Sequence, residues 1–248
     1  MRRIDLHTHT YFCDGENSPE EMVLSAIEKG LDVIGILAHS FVQEDPEGSM
    51  PIDKQAEFIS TVNELKEKYK NKIEVRVGIE MDMYSRVDTT GFDYIIGSCH
   101  YVKKDGKLRA IDISEDDFIS TVKELFDGDY ESAYEWYYNS LSELKNRTNA
   151  DIAGHIDLIT KYNDGNKYFD TYSEKYVNSY KKAVEKLVED GLVFEVNTGG
   201  MHKYKSEPYP SKQIREYIKQ RGGKLMLSSD AHKKEDIAFL FDRYKNEV

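Results

Sequence analysis

The stretch Arg3-Ile-Asp-Leu-His-Thr-His-Thr10 decides how the rest of this chain is read. Ile4 and Leu6 flank Asp5 in the apolar/polar alternation of a short strand, and two imidazoles, His7 and His9, follow directly. At a strand's end, residues two apart lie on the same side of the backbone, so both rings can reach one ion. Neutral imidazole is a common ligand for zinc, iron and manganese. A pair of surface histidines would be spelled the same way, so the weight falls on where the other histidines lie.

Outward from this stretch, short β-rich runs alternate with longer helical patterns. The predicted strands are Arg3–Leu6, Val33–Leu37, Glu74–Ile79, Asp93–Gly97, Asp151–Gly154, Leu192–Val196 and Lys224–Leu227. Strand alternating with helix implies parallel strands, right-handed crossovers and helices outside. Seven such units predict a closed or nearly closed α/β barrel. A doubly wound open sheet is the alternative, but it usually carries a Gly-rich phosphate loop after the first strand, where this chain has His-Thr-His.

The helices announce themselves by caps and periodicity. Ser18-Pro-Glu-Glu places a cap, a proline at the first helical position and two acids against the dipole, in a helix that should close near Gly30. Ile52, Ala56, Ile59, Val62, Leu65 and Tyr69 predict one buried helical face. Ser114-Glu-Asp-Asp opens another capped helix. Tyr134, Trp136, Tyr137, Tyr138, Leu141 and Leu144 form an aromatic stretch that reads as packing and not as a base-stacking platform, because it carries little positive charge. Tyr176, Tyr180, Ala183, Val184 and Leu187 predict an amphipathic helix, and the last two helices are expected over Ser211–Arg221 and Lys234–Tyr244.

The ends of the strands hold the chemistry. His7, His9 and then Asp14 follow the first strand, His39 the second, Glu80 the third and His100 the fourth. His155 follows the fifth, Glu195 and Asn197 end the sixth, and Asp230 and His232 follow the seventh. Of the seven histidines in the chain, only His202 is not at the carboxyl end of a strand, the face where α/β barrels assemble their sites. Imidazole and carboxylate without thiolate suit Zn²⁺, Mn²⁺ or Fe²⁺. Six histidines with Asp14, Glu80 and Asp230 exceed the needs of one tetrahedral ion; two to three divalent ions sharing a carboxylate would use them. Such clusters recur where phosphate esters are split.

Composition bounds the alternatives. The 248 residues, 39% hydrophobic and 32% charged, suit one barrel-sized domain spanning 1–248. A formal charge of −12 argues against non-specific nucleic-acid binding. Cys13 and Cys99 form no motif, so neither a disulfide framework nor a thiolate zinc site is expected. With no signal peptide and no membrane-length apolar run, a reduced, cytoplasmic protein is expected. Oligomeric state is left open.

The set His7-x-His9, His39, Gly78-Ile-Glu80, Gly97-Ser-Cys-His100, Gly154-His155-Ile-Asp-Leu and Ser229-Asp-Ala-His232 resembles the PHP (polymerase and histidinol phosphatase) superfamily, in family order over nearly the whole chain. Ile95–Tyr101, Gly154–Tyr162, Glu195–Thr198 and Tyr209–Ser211 resemble its histidinol-phosphate phosphatases. The resemblance implies a distorted (β/α)7 barrel with a trinuclear metal centre at its carboxyl face. By position it implies His7, His9, Glu80 and Asp230 around one ion, with Glu80 bridging to a second held by His100 and His155. Asp14, His39 and His232 would hold the third. Lys161 falls at a phosphate-holding position. His202 and Lys203 stand where relatives commonly carry an arginine, and Ala38 stands where they carry an acid before the histidine.

The activity so implied is hydrolysis of L-histidinol phosphate, a small phosphorylated metabolite. A hydroxide between two ions would attack phosphorus, and Asp230 or His232 would protonate the leaving group. The alternatives are a phosphatase of another metabolite or of phosphotyrosine, a 3′–5′ nuclease, or a non-catalytic metal-binding barrel.

Overall fold

β3 (Glu74–Asp82) is buried throughout its last six residues, the mark of a strand covered on both faces. The computed structural model describes residues 2–44 and 46–248. It places β3 in a seven-stranded sheet ordered β1 (Ile4–Asp5), β2 (Val33–Ile36), β3, β4 (Tyr94–Ser98), β7 (Ile152–Ala153), β8 (Val193–Asn197) and β9 (Lys224–Ser228). Every neighbouring pair is parallel. The sheet curls until its edges meet. Thr8 bridges Ala231 in parallel, and the His9 amide donates to the Ala231 carbonyl at 2.8 Å. Below that bridge the buried Asp5 carboxylate accepts from the Ser229 amide (3.1 Å), the Ser229 hydroxyl (2.5 Å) and the Ala238 amide (3.0 Å). The nearly closed (β/α)7 barrel expected from the alternation is therefore the fold.

One aromatic ring fills the barrel's interior beneath the strand ends. Tyr94 packs with Leu6, Val33, Leu37, Ile96 and Ile152, and its hydroxyl donates to the Leu6 carbonyl at 2.5 Å. Gly35 and Gly78 make room for it: a Cβ would come within 2.0 Å of Tyr94 at Gly35 and 2.2 Å at Gly78.

The outer layer follows the local signals. Ser18 and Glu21 form a reciprocal capping box on α1 (Pro19–Glu28), and Ser114 caps α3 (Glu115–Phe126). Tyr134, Tyr137, Tyr138 and Leu141 on α4 (Tyr130–Leu141) are buried against Tyr176, Tyr180 and Ala183 of α6 (Glu174–Glu189). Leu144, on α5 (Leu144–Thr148), is buried with them, and α7 (Lys212–Gln220) follows as expected. Trp136 departs from the group and is 40% exposed.

Two local expectations are corrected, and one element is added. The face of α2 (Gln55–Tyr69) is Phe58, Val62, Leu65 and Tyr69, because Ile52–Lys54 forms a separate 3-10 turn that throws Ile52 and Ala56 out to solvent. Residues 234–244 are not one helix. A 3-10 turn at Lys234–Asp236 and α8 (Phe241–Tyr244) are separated by left-handed backbone at Ala238 and Leu240. There Asp5 accepts from the Ala238 amide, and Thr198 donates to the Phe239 carbonyl at 2.8 Å. An antiparallel hairpin, β5 (Tyr101–Lys104) with β6 (Lys107–Ala110), was not read from the sequence at all. Its turn is Asp105-Gly106, both at positive φ, a hairpin signal obscured by the lysines on either side.

Candidate metal centre

Each strand delivers its donors where its backbone leaves the barrel. His7 and His9 leave β1 on the same side, with their Nε2 atoms 3.1 Å apart. His7 Nε2 lies 3.3 Å from both Glu80 Oε2 and Asp230 Oδ1; His9 Nε2 lies 3.4 and 3.3 Å from the same two oxygens. Donors held ~2.0–2.1 Å from one ion stand about 3.3 Å apart in a tetrahedron. His7, His9 and Glu80 therefore have the spacing of ligands in one coordination shell, with Asp230 within 3.3 Å of both imidazoles.

Glu80 turns its other oxygen to different rings. Oε1 lies 2.9 Å from His155 Nε2 and 3.2 Å from His100 Nε2, and accepts from Ser98 Oγ at 2.6 Å. Asp14 Oδ2 faces His232 Nε2 at 3.2 Å and His39 Nε2 at 3.5 Å, while His39 Nδ1 is 2.9 Å from Glu80 Oε2. Four groups of three or four close donors result: His9/Asp14/His39/His232, His7/His155/Asp230, His7/His9/Glu80 and His39/Glu80/His100. His39 and His155 thus each reach a second set of donors besides the one the sequence assigned.

The donor chemistry fits divalent ions. Glu80 Oε2 is fully buried among three imidazoles yet accepts no hydrogen bond, and buried His155 Nδ1 is also without a partner. An orphaned buried carboxylate oxygen costs free energy unless a cation satisfies it. Electrostatics agree. Burial opposes a charged Glu80, but His39, His7 and His100 outweigh it and hold the carboxyl well below the usual range. Burial likewise opposes a charged His7, while Asp230, Glu195 and Glu80 raise it well above an ordinary imidazole. His9 goes the other way, pushed down to about 3 by burial, His232 and His39.

Further residues aim these donors, and the sequence reading gave them no role. Glu195 Oε1 lies 2.7 Å from His7 Nδ1, the carboxylate–histidine arrangement that fixes a ligand's tautomer. Glu195 Oε2 accepts from the His155 amide at 3.2 Å. Asn197 Nδ2 donates to Asp230 Oδ2 at 3.1 Å, and Asp230 itself sits in left-handed backbone. Asp82 Oδ2 accepts from the His100 amide at 3.0 Å and lies 3.3 Å from its Nδ1. His232 Nδ1 is 2.9 Å from the Asp230 carbonyl, and His9 Nδ1 lies 3.4 Å from Cys13 Sγ. The signal for Asp82 was available: it stands two residues beyond Glu80, the spacing that joins His7 to His9.

Above the cluster opens a cavity of about 610 Å³, with His7 and His9 buried under it. Its walls include Lys161, His202 and Lys203. Lys161 Nζ donates to the Asp112 carbonyl at 2.7 Å and stands over the Tyr204 ring at 5.3 Å. His202 stacks on Phe239 with centroids 3.7 Å apart and faces Asp236 at 3.7 Å. Lys203 lies over Tyr204.

Parallel strands closing a barrel around buried imidazoles and carboxylates define a metal-binding α/β barrel. The PHP domain matches residues 5–199, and the chain belongs to that family. It is 27% identical over 274 residues to the histidinol-phosphatase of Bacillus subtilis (strain 168), covering 98% of both chains. To the probable histidinol-phosphatase of Deinococcus radiodurans it is 24% identical over 250 residues, covering 96% of this chain and 89% of that one. A crystal structure from Listeria monocytogenes, assigned to the histidinol phosphatases, superposes with a TM-score of 0.86 at 24% identity, over 98% of this chain and all (100%) of that one. The Lactococcus lactis histidinol phosphate phosphatase, solved with Zn, L-histidinol and phosphate, gives 0.73 at 20% identity, over 100% and 92%. Among the described residues no helix is long and apolar enough to cross a membrane.

Proposed function

We propose that this protein is a metal-dependent phosphomonoesterase acting on L-histidinol phosphate, with residues 1–248 forming one catalytic domain. The observation that carries the reading is Glu80, a buried carboxylate presenting one oxygen to His7, His9 and His39 and the other to His100 and His155. Curated relatives named histidinol-phosphatase, matched over most of both chains, support the substrate.

His7, His9, Glu80 and Asp230 would hold one ion, Glu80 with His100 and His155 a second, and Asp14, His39 and His232 a third. Zinc, manganese and iron all suit this donor set. Divalent ions so placed acidify water and offset charge on phosphoryl oxygens. The chain's own residues do the rest. Lys161, fixed on the Asp112 carbonyl, gives the substrate dianion a point charge from the cavity wall. Lys203 and His202 line the opening where the organic half enters. Asp230 or His232 would pass the proton released by the attacking water to the leaving alkoxide, so that water and the ester give alcohol and phosphate. Glu195 and Asp82 keep the imidazoles from turning away.

The test is a turnover screen of the full chain after reconstitution with Mn²⁺ or Zn²⁺. It should include histidinol phosphate, other phosphorylated metabolites, phosphotyrosine and single-stranded DNA. Fastest turnover of histidinol phosphate is expected. Preference for another ester would reassign the substrate, preference for DNA would make the protein a nuclease, and no turnover with two or more ions bound would make it a non-catalytic barrel.

A further inference from the structure

A second cleft, of about 650 Å³, lies on the outside of the barrel. Among the described residues, Arg86, Arg147 and Lys103 line it against one carboxylate, Glu44, which pairs with Lys103 at 3.6 Å, and the rings of Tyr84 and Trp136 complete its walls. In a chain of formal charge −12, three cations around one hollow are a local reversal of sign. Among the described residues neither guanidinium has an ion-pair partner: Arg86 Nη1 donates only to the carbonyls of Met83 and Ser85, and Arg147 stands 5.9 Å from the Tyr84 ring centroid. Lys103 approaches the same ring at 6.0 Å. The Trp136 indole is fixed by its Nε1–H on the Lys103 carbonyl at 3.0 Å, leaving part of the ring exposed. Guanidinium forks bind carboxylates and phosphates bidentately, and aromatic faces stack on planar rings.

The cleft shares a wall with the catalytic cavity. The segment after His39 alternates its side chains as an extended chain does: Ser40 and Val42 line the cavity, Phe41 and Gln43 the cleft. Ser40 Oγ accepts from the Asp82 amide at 2.9 Å, and Asp82 holds His100. On the other side, Ser85 Oγ donates to the Phe41 carbonyl at 2.8 Å. A ligand that moved Phe41 would move Ser40 with it.

We propose that this cleft is a regulatory site for a small aromatic anion, a planar ring bearing a phosphate or a carboxylate, whose occupancy alters turnover through the segment 40–43. Trp136 is the only tryptophan in the chain, so its fluorescence reports on the cleft directly. The metal-loaded full chain is titrated with AMP, phenylacetate, adenosine and inorganic phosphate. AMP or phenylacetate should quench Trp136 saturably, with half-saturation below about 1 mM. The probe that works distinguishes a phosphate from a carboxylate ligand. Adenosine and phosphate, each carrying half of the recognised chemistry, should give at least ~10-fold weaker responses, and so should the R86A/R147A double variant, whose altered side chains are exposed and outside the catalytic cavity. Phenylacetate, which cannot be a phosphatase substrate, should shift the KM or kcat of the parent protein and not of the double variant. An unchanged titration curve in the double variant, or adenosine matching AMP, overturns the site. Binding without any change in turnover overturns its regulatory role. The turnover arm rests on the phosphatase reading and the fluorescence arm does not, so the two can fail separately.

Discussion

Glu80→Gln removes one charge and no volume from the middle of the cluster. In the structure the carboxylate has a donor nitrogen at 2.9 Å on either side, from His39 and from His155, and three more at 3.2–3.4 Å. An ion bound by that oxygen lies closer than its neighbour His7 at 3.3 Å, so each unit of its charge is held by at least roughly 5 kcal/mol at an effective dielectric of about 20. Glutamine forfeits that attraction and turns an N–H₂ toward imidazoles that must present lone pairs to an ion. Even if relaxation recovers a fifth of it, ~4 kcal/mol remains, or about 10³-fold in turnover. The assay is steady-state kinetics with metal analysis on the same preparation. Turnover should fall at least ~10³-fold, with fewer ions retained per chain. A glutamine variant with its full complement of ions and turnover within about tenfold of the parent would show that Glu80 does not bridge them, and the mechanism would lose its centre.

Lys161→Ala should lower kcat/KM by about 30-fold or more, as expected for a truncated charged contact, with metal content unchanged; Lys161→Arg should recover part of the loss. Full activity in the alanine variant would leave Lys161 as a tether for Asp112 only. Glu195→Gln should weaken metal retention by about 10–100-fold in chelator competition, since it frees His7 to turn; parent-like retention would remove Glu195 from the site. Gly35→Ala drives a methyl into the Tyr94 hydroxyl and should cost about 1–3 kcal/mol, read as a lower Tm. Placing it in a Tyr94→Phe background should shrink the cost, and an equal cost in both backgrounds would mean another contact is responsible.

The barrel was legible because parallel strands buried on both faces are continuous apolar runs, and because helix caps such as Ser18 and Ser114 are local chemistry. The six clustered histidines were legible for a related reason: strand polarity sends every residue after a strand to one face. What escaped depends on partners distant in sequence. Nothing near Glu195 in the chain indicates that it will meet His7 across the barrel. Nor does the pattern of residues 234–244 reveal that Asp5 and Thr198 will take the backbone groups a helix there would need. The β5–β6 hairpin was legible and overlooked; Asp105-Gly106 spelled its turn while lysines hid the flanking alternation.

The closure through Asp5 and Ser229 joins residues 224 positions apart, and it also brings His7 and His9 to Asp230. Before that closure forms, these donors have no common place to hold an ion. A bound ion is therefore a ligand of the folded chain alone, and mass action adds its free energy to folding: about 2.7 kcal/mol per site at a hundredfold excess over Kd. The lifetime of the protein would then follow the supply of metal.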